Sequence, residues 1–139
     1  MANTIHIDIV SAEGQIFSGE ATRVFVPGSQ GELGIYPRHA PLLTTLTAGE
    51  VRVETEGQEE QSFFVGGGAM EIQPHLVTVL ADTAVRAKDL DEAAALAAKQ
   101  RAEDAVRNRS DKLDIAEAQV ELVRALAQLR AIARLRKKH

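Results

Sequence analysis

Between Asp82 and Lys88 the chain changes the period on which its apolar residues recur, and this imposes two different kinds of structure on one polypeptide. Before the change, Ile5, Ile7 and Ile9 alternate with His6 and Asp8, and Val51 and Val53 alternate with Arg52 and Glu54. A period of two marks a half-buried strand. After it, alanine dominates from Leu90 to Val106 with no Gly or Pro, the composition of a helix. Ile115, Ala118, Leu122, Leu126, Leu129 and Ile132 then recur at helical steps and form one apolar stripe.

In the first half, turn residues cut the chain into short strands. After the Ile5–Ile9 alternation, Ser11–Gly14 reads as a turn. Gln15–Ser18, Arg23–Val26 and Leu42–Leu46 are strand candidates, ended by Gly19, by Pro27-Gly28 and by Thr47–Gly49. A turn at Glu56–Gln58 leads to Ser62–Val65, Gly66–Gly68 interrupts, and Met70–Ile72 resumes. Gln73–His75 turns again before Leu76–Ala81, the most apolar strand. Many short strands with turn signals every few residues indicate an antiparallel sandwich or barrel. Phe25 is expected among its core residues.

In the second half, Val85–Lys88 reads as a linker. Asp89 with Glu92, and Asp114 with Glu117, have the spacing of helix-capping pairs. Arg107–Asp111 breaks the helical pattern. The second helix is expected to run to about Leu135, roughly 30 Å at 1.5 Å per residue. The first packs through Ala94, Ala97, Ala98, Ala102 and Ala105, which permit close approach but bury little area. Such a hairpin is held by few strong contacts and is expected to swing or open. The fold class is therefore an all-β N-terminal sandwich, residues 1–86, plus a C-terminal antiparallel α-helical hairpin, residues 87–139, α+β overall.

Composition narrows the function classes. The chain has no cysteine, which rules out disulfides, thiolate metal sites and thiol nucleophiles. The net charge of −4 argues against nucleic acid as the main partner. No apolar run is long enough to span a bilayer, and the N-terminus lacks a basic-then-apolar signal pattern, so membrane association is expected only through a protein partner. None of His6, His39, His75 and His139 lies in a nucleophile or metalloprotease motif. No catalytic or metal-binding residue is assigned. Gly66–Gly68 leads to a strand, not a helix, and so lacks a phosphate cradle. From Glu121 onward six bases stand against one acid, leaving +5 there and −9 elsewhere. Two readings stay open: a tail that meets an acidic surface, or a basic helix end complementing its dipole.

The stretch from Gly28 to Leu43, GSQGELGIYPRHAPLL, is a shaped loop with three glycines and two prolines. Leu33, Ile35, Leu42 and Leu43 are expected to anchor it, leaving Glu32, Arg38 and His39 outward. This stretch closely resembles the signature of the epsilon subunit of bacterial F-type ATP synthases, proteobacterial type. His6–Glu13, Gly66–Gly68, Thr78–Ala84 and Ala127–Arg130 fit the same family, and the match spans essentially the whole chain.

The resemblance implies a β-sandwich that binds the gamma subunit and the ring of c subunits. It also implies a helical hairpin that inhibits ATP hydrolysis, with catalysis left to the beta subunits. Glu32 and His39, with Arg38 beside them, match the ring-contact region. Arg124, Arg130 and Arg134 match basic residues that approach the alpha/beta catalytic head. Some members bind ATP through an I/L-D-x-x-R-A motif and a later arginine. Leu90, Asp91 and Arg101 fit this motif, but Ala94 replaces its arginine, so the expectation is no ATP binding or only weak binding, and no other cofactor. The implied location is peripheral, on the cytoplasmic face of the bacterial inner membrane. Without the resemblance, the residues describe a free-standing, non-catalytic regulatory binding module. Co-purification with gamma separates the two.

Overall fold

The computed structural model describes residues 3–108 and 112–138. The chain divides into two compact units, Met1–Arg86 and Ala87–His139. The first holds β1 (Ile5–Ser11), β2 (Gly14–Ala21), β3 (Arg23–Gly28), β4 (Gly31–Ile35), β5 (Leu42–Glu54), β6 (Gln61–Ile72), β7 (Leu76–Ala81) and β8 (Ala84–Arg86). Their hydrogen-bonded order is β2-β1-β7-β6-β5-β3-β4, with β8 paired to β6 off that path. This sheet wraps one core as a sandwich. Ile5, Ile7, Ile9, Val24, Val26, Val51, Val53, Val77 and Val79 all lie on the inward phase of their strands and are fully buried. Alternation does not encode strand direction, however. β1 and β7 pair in parallel, against the expectation of a purely antiparallel sheet.

β5 and β6 run straight through both predicted breaks. Their register continues from Leu46↔Gly68 to Ala48↔Gly66, skipping one position. The glycines mark where β6 changes neighbour, from β7 (Gly68–Ile72) to β8 (Phe63–Val65). Gly68 has φ +136°, and a Cβ there would lie 2.1 Å from the Leu80 carbonyl oxygen. No other residue fits that approach without moving backbone. The stretch read as a linker is likewise ordered: Ala84–Arg86 forms β8, and Ala87–Asp89 forms a single 3-10 turn.

Two expectations about large side chains fail. Phe25 is not in the core, because Val24 and Val26 occupy the inward phase and turn the ring to the outer face. There the Arg52 and Arg23 guanidinium carbons lie 4.6 and 5.5 Å from its centroid. The buried phenylalanines are Phe63 and Phe64. Ile35 anchors the glycine-rich stretch and Leu33 packs against the core, but Leu42 and Leu43 are exposed. Much of that stretch is strand: β3 and β4 form a hairpin that turns at Ser29-Gln30.

In the second unit, α1 (Glu92–Asn108) packs on α2 (Lys112–Lys138). Of the predicted break, Arg107 and Asn108 end α1, and residues 109–111 lie outside the described residues. The caps also differ from expectation. The Asp91 carboxylate, not that of Asp89, accepts the Ala94 N–H at 3.1 Å and so caps α1. Asp114 lies inside the first turn of α2, where its charge suits the helix dipole. The buried residues of α1 are Ala95 and Ala102. With the half-buried Ala98 and Ala105 they recur at steps of three and four, whereas Ala94 and Ala97 face solvent. On α2 the stripe Ile115, Leu122, Leu126, Leu129 and Ile132 is only half-buried, and full burial falls on alanines such as Ala118 and Ala125. Small side chains bring the two helix backbones close, which leaves the larger ones at the margins of the seam. Arg136, in the last turn of α2, is ion-paired with Glu92 in the first turn of α1.

Candidate functional site

Two surfaces carry the residues singled out from the sequence, one on each unit. On the sandwich, β4 presents Glu32 and runs directly into the loop 36–41. Glu32 is held across the sheet by Arg52 Nη2 at 2.8 Å, spanning β4, β3 and β5. Arg38 is exposed and adopts φ +65°, the left-handed region that costs a side-chain-bearing residue roughly 1–2 kcal/mol. Its backbone N–H donates to the Pro74 carbonyl at 2.9 Å, and Nη2 donates to Asn3 Oδ1 at 3.3 Å. His39 is half-buried, with Nδ1 2.7 Å from the Ala40 carbonyl, so that nitrogen carries the proton. Each of the three is thus held by a different partner. They are three points on one strand-and-loop segment, not a cluster.

On the hairpin, Arg130 and Arg134 lie one turn apart on the same side of α2. Arg130 is exposed, and its Nε reaches back to the Leu126 carbonyl at 3.5 Å. Arg124 projects from a different side and is half-buried, and its Nε is buried without a hydrogen-bond partner. Asp91 is engaged as the α1 cap, while Ala94 and Arg101 are exposed. Among the described residues no cluster of three or more His, Cys, Asp or Glu side chains is arranged to hold a metal. No described helix is long and apolar enough to cross a membrane.

Two features escaped sequence reasoning. The first is an apolar area on the outer sheet face. Register aligns Val10, Leu80, Ala69 and Thr45 across β1, β7, β6 and β5, with Leu43 one step along β5. Leu43 is 73% exposed and Leu80 55%. Leu80 sits in an apolar run, so only strand phase shows that it points outward. The second is a polar cluster on β1 and β2. His6 Nδ1 lies 2.5 Å from Glu20 Oε2, and His6 Nε2 lies 2.9 Å from Asp8 Oδ1. The hydrogen bond with Glu20, more than that with Asp8, raises the His6 pKa above its ordinary 6.5 despite some loss of hydration. The Ser18 hydroxyl, then His6, lowers that of Asp8, and His6, then Thr4, lowers that of Glu20. His6 and Asp8 share a face at i, i+2, a signal present in the sequence. Glu20 and Ser18 join them only through pairing with β2.

The delta/epsilon-chain beta-sandwich domain of ATP synthase matches residues 4–87, and the long alpha-helix domain of the same chain matches residues 88–136. This chain belongs to the ATP synthase delta/epsilon family. It is 61% identical over 138 residues to the ATP synthase epsilon chain of Nitrosococcus oceani, covering 99% of each chain. It is 58% identical to ATP synthase epsilon chain 1 of Methylococcus capsulatus, covering 99% of this chain and 98% of that one. Among solved structures, a chain of the Euglena gracilis mitochondrial ATP synthase (OSCP/F1/c-ring, rotational state 1) superposes with a TM-score of 0.85. Identity there is 17%, covering 94% of this chain and 82% of that one, so the likeness is one of fold. As an epsilon-type member of the family, the chain is a non-catalytic stalk subunit of the F-type ATP synthase complex.

Proposed function

We propose that this chain is the rotating link of the central stalk. Its sandwich joins the gamma subunit to the c-ring, and its hairpin restrains ATP hydrolysis by the alpha/beta head. The observation that carries this reading is the end-to-end match of both units to epsilon chains. The segment formed by β4, with Glu32, and the loop 36–41, with Arg38 and His39, supports the ring contact. The outer face at Leu43 and Leu80 supports docking of gamma, since two exposed leucines with the half-buried Val10 and Ala69 flanking Leu80 favour a protein partner. Arg130 and Arg134 support contact with an acidic segment of the head. Arg124 acts there only if its half-buried side chain is released. The assembly is peripheral, on the cytoplasmic face of the bacterial inner membrane, and couples proton-driven ring rotation to ATP synthesis.

The test is ATP hydrolysis by the cognate catalytic complex stripped of this chain. Adding back the full chain should suppress hydrolysis, and the chain carrying Arg130→Ala and Arg134→Ala should bind but suppress it less. Equal suppression by both would remove the arginines from the inhibitory role. Failure of the full chain to bind would overturn the assignment to the stalk. For the hairpin we propose no ATP binding or only weak binding. Asp91 is committed to the Ala94 N–H, and Ala94 brings no cation. Equilibrium dialysis giving a submillimolar Kd would contradict this.

A further inference from the structure

We infer that His6, Asp8, Glu20 and Ser18 form a protonation-dependent clamp that fastens edge strand β2 to the sandwich. β2 lies at one end of the sheet and pairs only with β1 along the strand path. Its inner side carries Ile16 and Phe17 against the core, with the Phe17 ring 5.1 Å from Phe63. The clamp closes the opposite, outer side of the same strand.

The geometry selects a charged imidazolium. His6 and Glu20 are direct register partners. Both ring nitrogens meet carboxylates: Nδ1 faces Glu20 Oε2, and Nε2 faces Asp8 Oδ1. A neutral imidazole has one N–H and donates to only one of them. Ser18 Oγ, 3.0 Å from Nε2, does not fill the gap, because its hydroxyl donates to Asp8 Oδ1 at 2.6 Å. In a neutral ring with its proton on Nδ1, the Nε2 lone pair would face the Asp8 carboxylate, and the Ser18 hydroxyl could turn to it only by giving up its bond to Asp8. The second Glu20 oxygen takes the Thr4 hydroxyl at 3.1 Å. β7 packs against the other side of β1 and presents Leu76 and Thr78 on this face, neither of them titratable. The charge balance is therefore one imidazolium against Asp8 and Glu20.

The pH dependence has a definite sign. The folded pKa of His6 is raised, so its contribution is full below 6.5 and is lost as pH rises through the raised value. The folded pKa values of Asp8 and Glu20 are lowered, so theirs is present above 3.8 and 4.5 respectively and is lost as pH falls through the lowered values. The clamp is complete between those limits. Above the raised value of His6, the two carboxylates lose the cation they share and β2 loosens. All of these groups lie near solvent, so the effect is local to the strand and weakened by salt.

The experiment is an NMR titration of the full chain with amide exchange of β2 measured from pH 5.5 to 8.5, in wild type and in Glu20→Gln. The expected result is a His6 pKa above 6.5, and severalfold loss of β2 protection, corrected for intrinsic rates, as His6 deprotonates. In Glu20→Gln the His6 pKa should fall and the pH dependence of β2 protection should shrink with it. His6→Gln should show no such dependence, and β6 amides of the same samples report whether the fold is intact. A His6 pKa at or below 6.5 would overturn the clamp. So would β2 protection that stays flat with pH, or that changes alike in wild type and Glu20→Gln.

Discussion

The sandwich and the hairpin bury their interiors in opposite ways. Strands carry Phe63, Ile5, Ile7, Ile9, Met70 and Ile72 to full burial, whereas among the described residues the buried positions of the helices are all alanines. A large buried aliphatic or aromatic side chain contributes about 1.5–3 kcal/mol by removing apolar area from water. Alanine contributes far less, and its value lies in letting backbones approach. The sandwich is thus fastened by many large side chains packed into one core. The hairpin depends on small-residue fit, helix propensity, the Asp91 cap and the Glu92–Arg136 ion pair at its open end. Under the proposed function, the unit packed by large side chains would carry torque and the alanine-packed unit would change state.

The contrast can be broken most severely in the sandwich. Phe63→Ala should destabilise that unit by about 3–5 kcal/mol, read by denaturant unfolding. A loss under about 1 kcal/mol would mean the core has a substitute for the ring. Gly68→Ala should come next. Its Cβ would collide with the Leu80 carbonyl at a positive φ, and crowding of this kind costs about 1–3 kcal/mol before strain is added. Loss of amide protection at the β6–β7 pairing is the readout, and normal protection there would show that the strands can part without cost.

In the hairpin, Ala102→Leu should cost about 1–3 kcal/mol by overpacking the close helix contact. A neutral or stabilising result would show that the seam has room, and that small size is not what defines it. The smallest effect is expected from Asp91→Ala, about 0.5–2 kcal/mol, confined to exchange at the start of α1. Across the wild-type chain, amide protection should be higher in β1, β6 and β7 than in α1. Uniform protection would erase the distinction between the two units.

Much of this architecture was legible in advance. Alternation in β1 and β5 named the inward residues there, and the alanine-rich stretch and the apolar stripe after it named the helices. What was misread depended on partners distant in sequence. Phe25 looked like core until the valines beside it took the inward phase. Gly66–Gly68 looked like an interruption, although pairing with β7 and β8 carries the strand through. The segment before α1 looked like a linker because a three-residue strand has no period of its own. Of the candidate functional residues, Glu32 and His39 could be singled out because they match fixed places of a motif, with Arg38 beside them at a variable one. The His6 cluster was only half visible, since Glu20 and Ser18 reach it from another strand.

The sequence by itself determined where strands give way to helices, the inward phase of β1 and of Val51 and Val53 in β5, and the positions of the helices. These follow from steric and hydrophobic periodicities within a few residues, which need no distant contact to be expressed. Only the tertiary structure decided strand order, the parallel β1–β7 pairing, the glycine-mediated change of neighbour in β6 and the two carboxylates that grip His6. Each of those depends on which distant segments lie side by side, and one-dimensional periodicity carries no information about that choice.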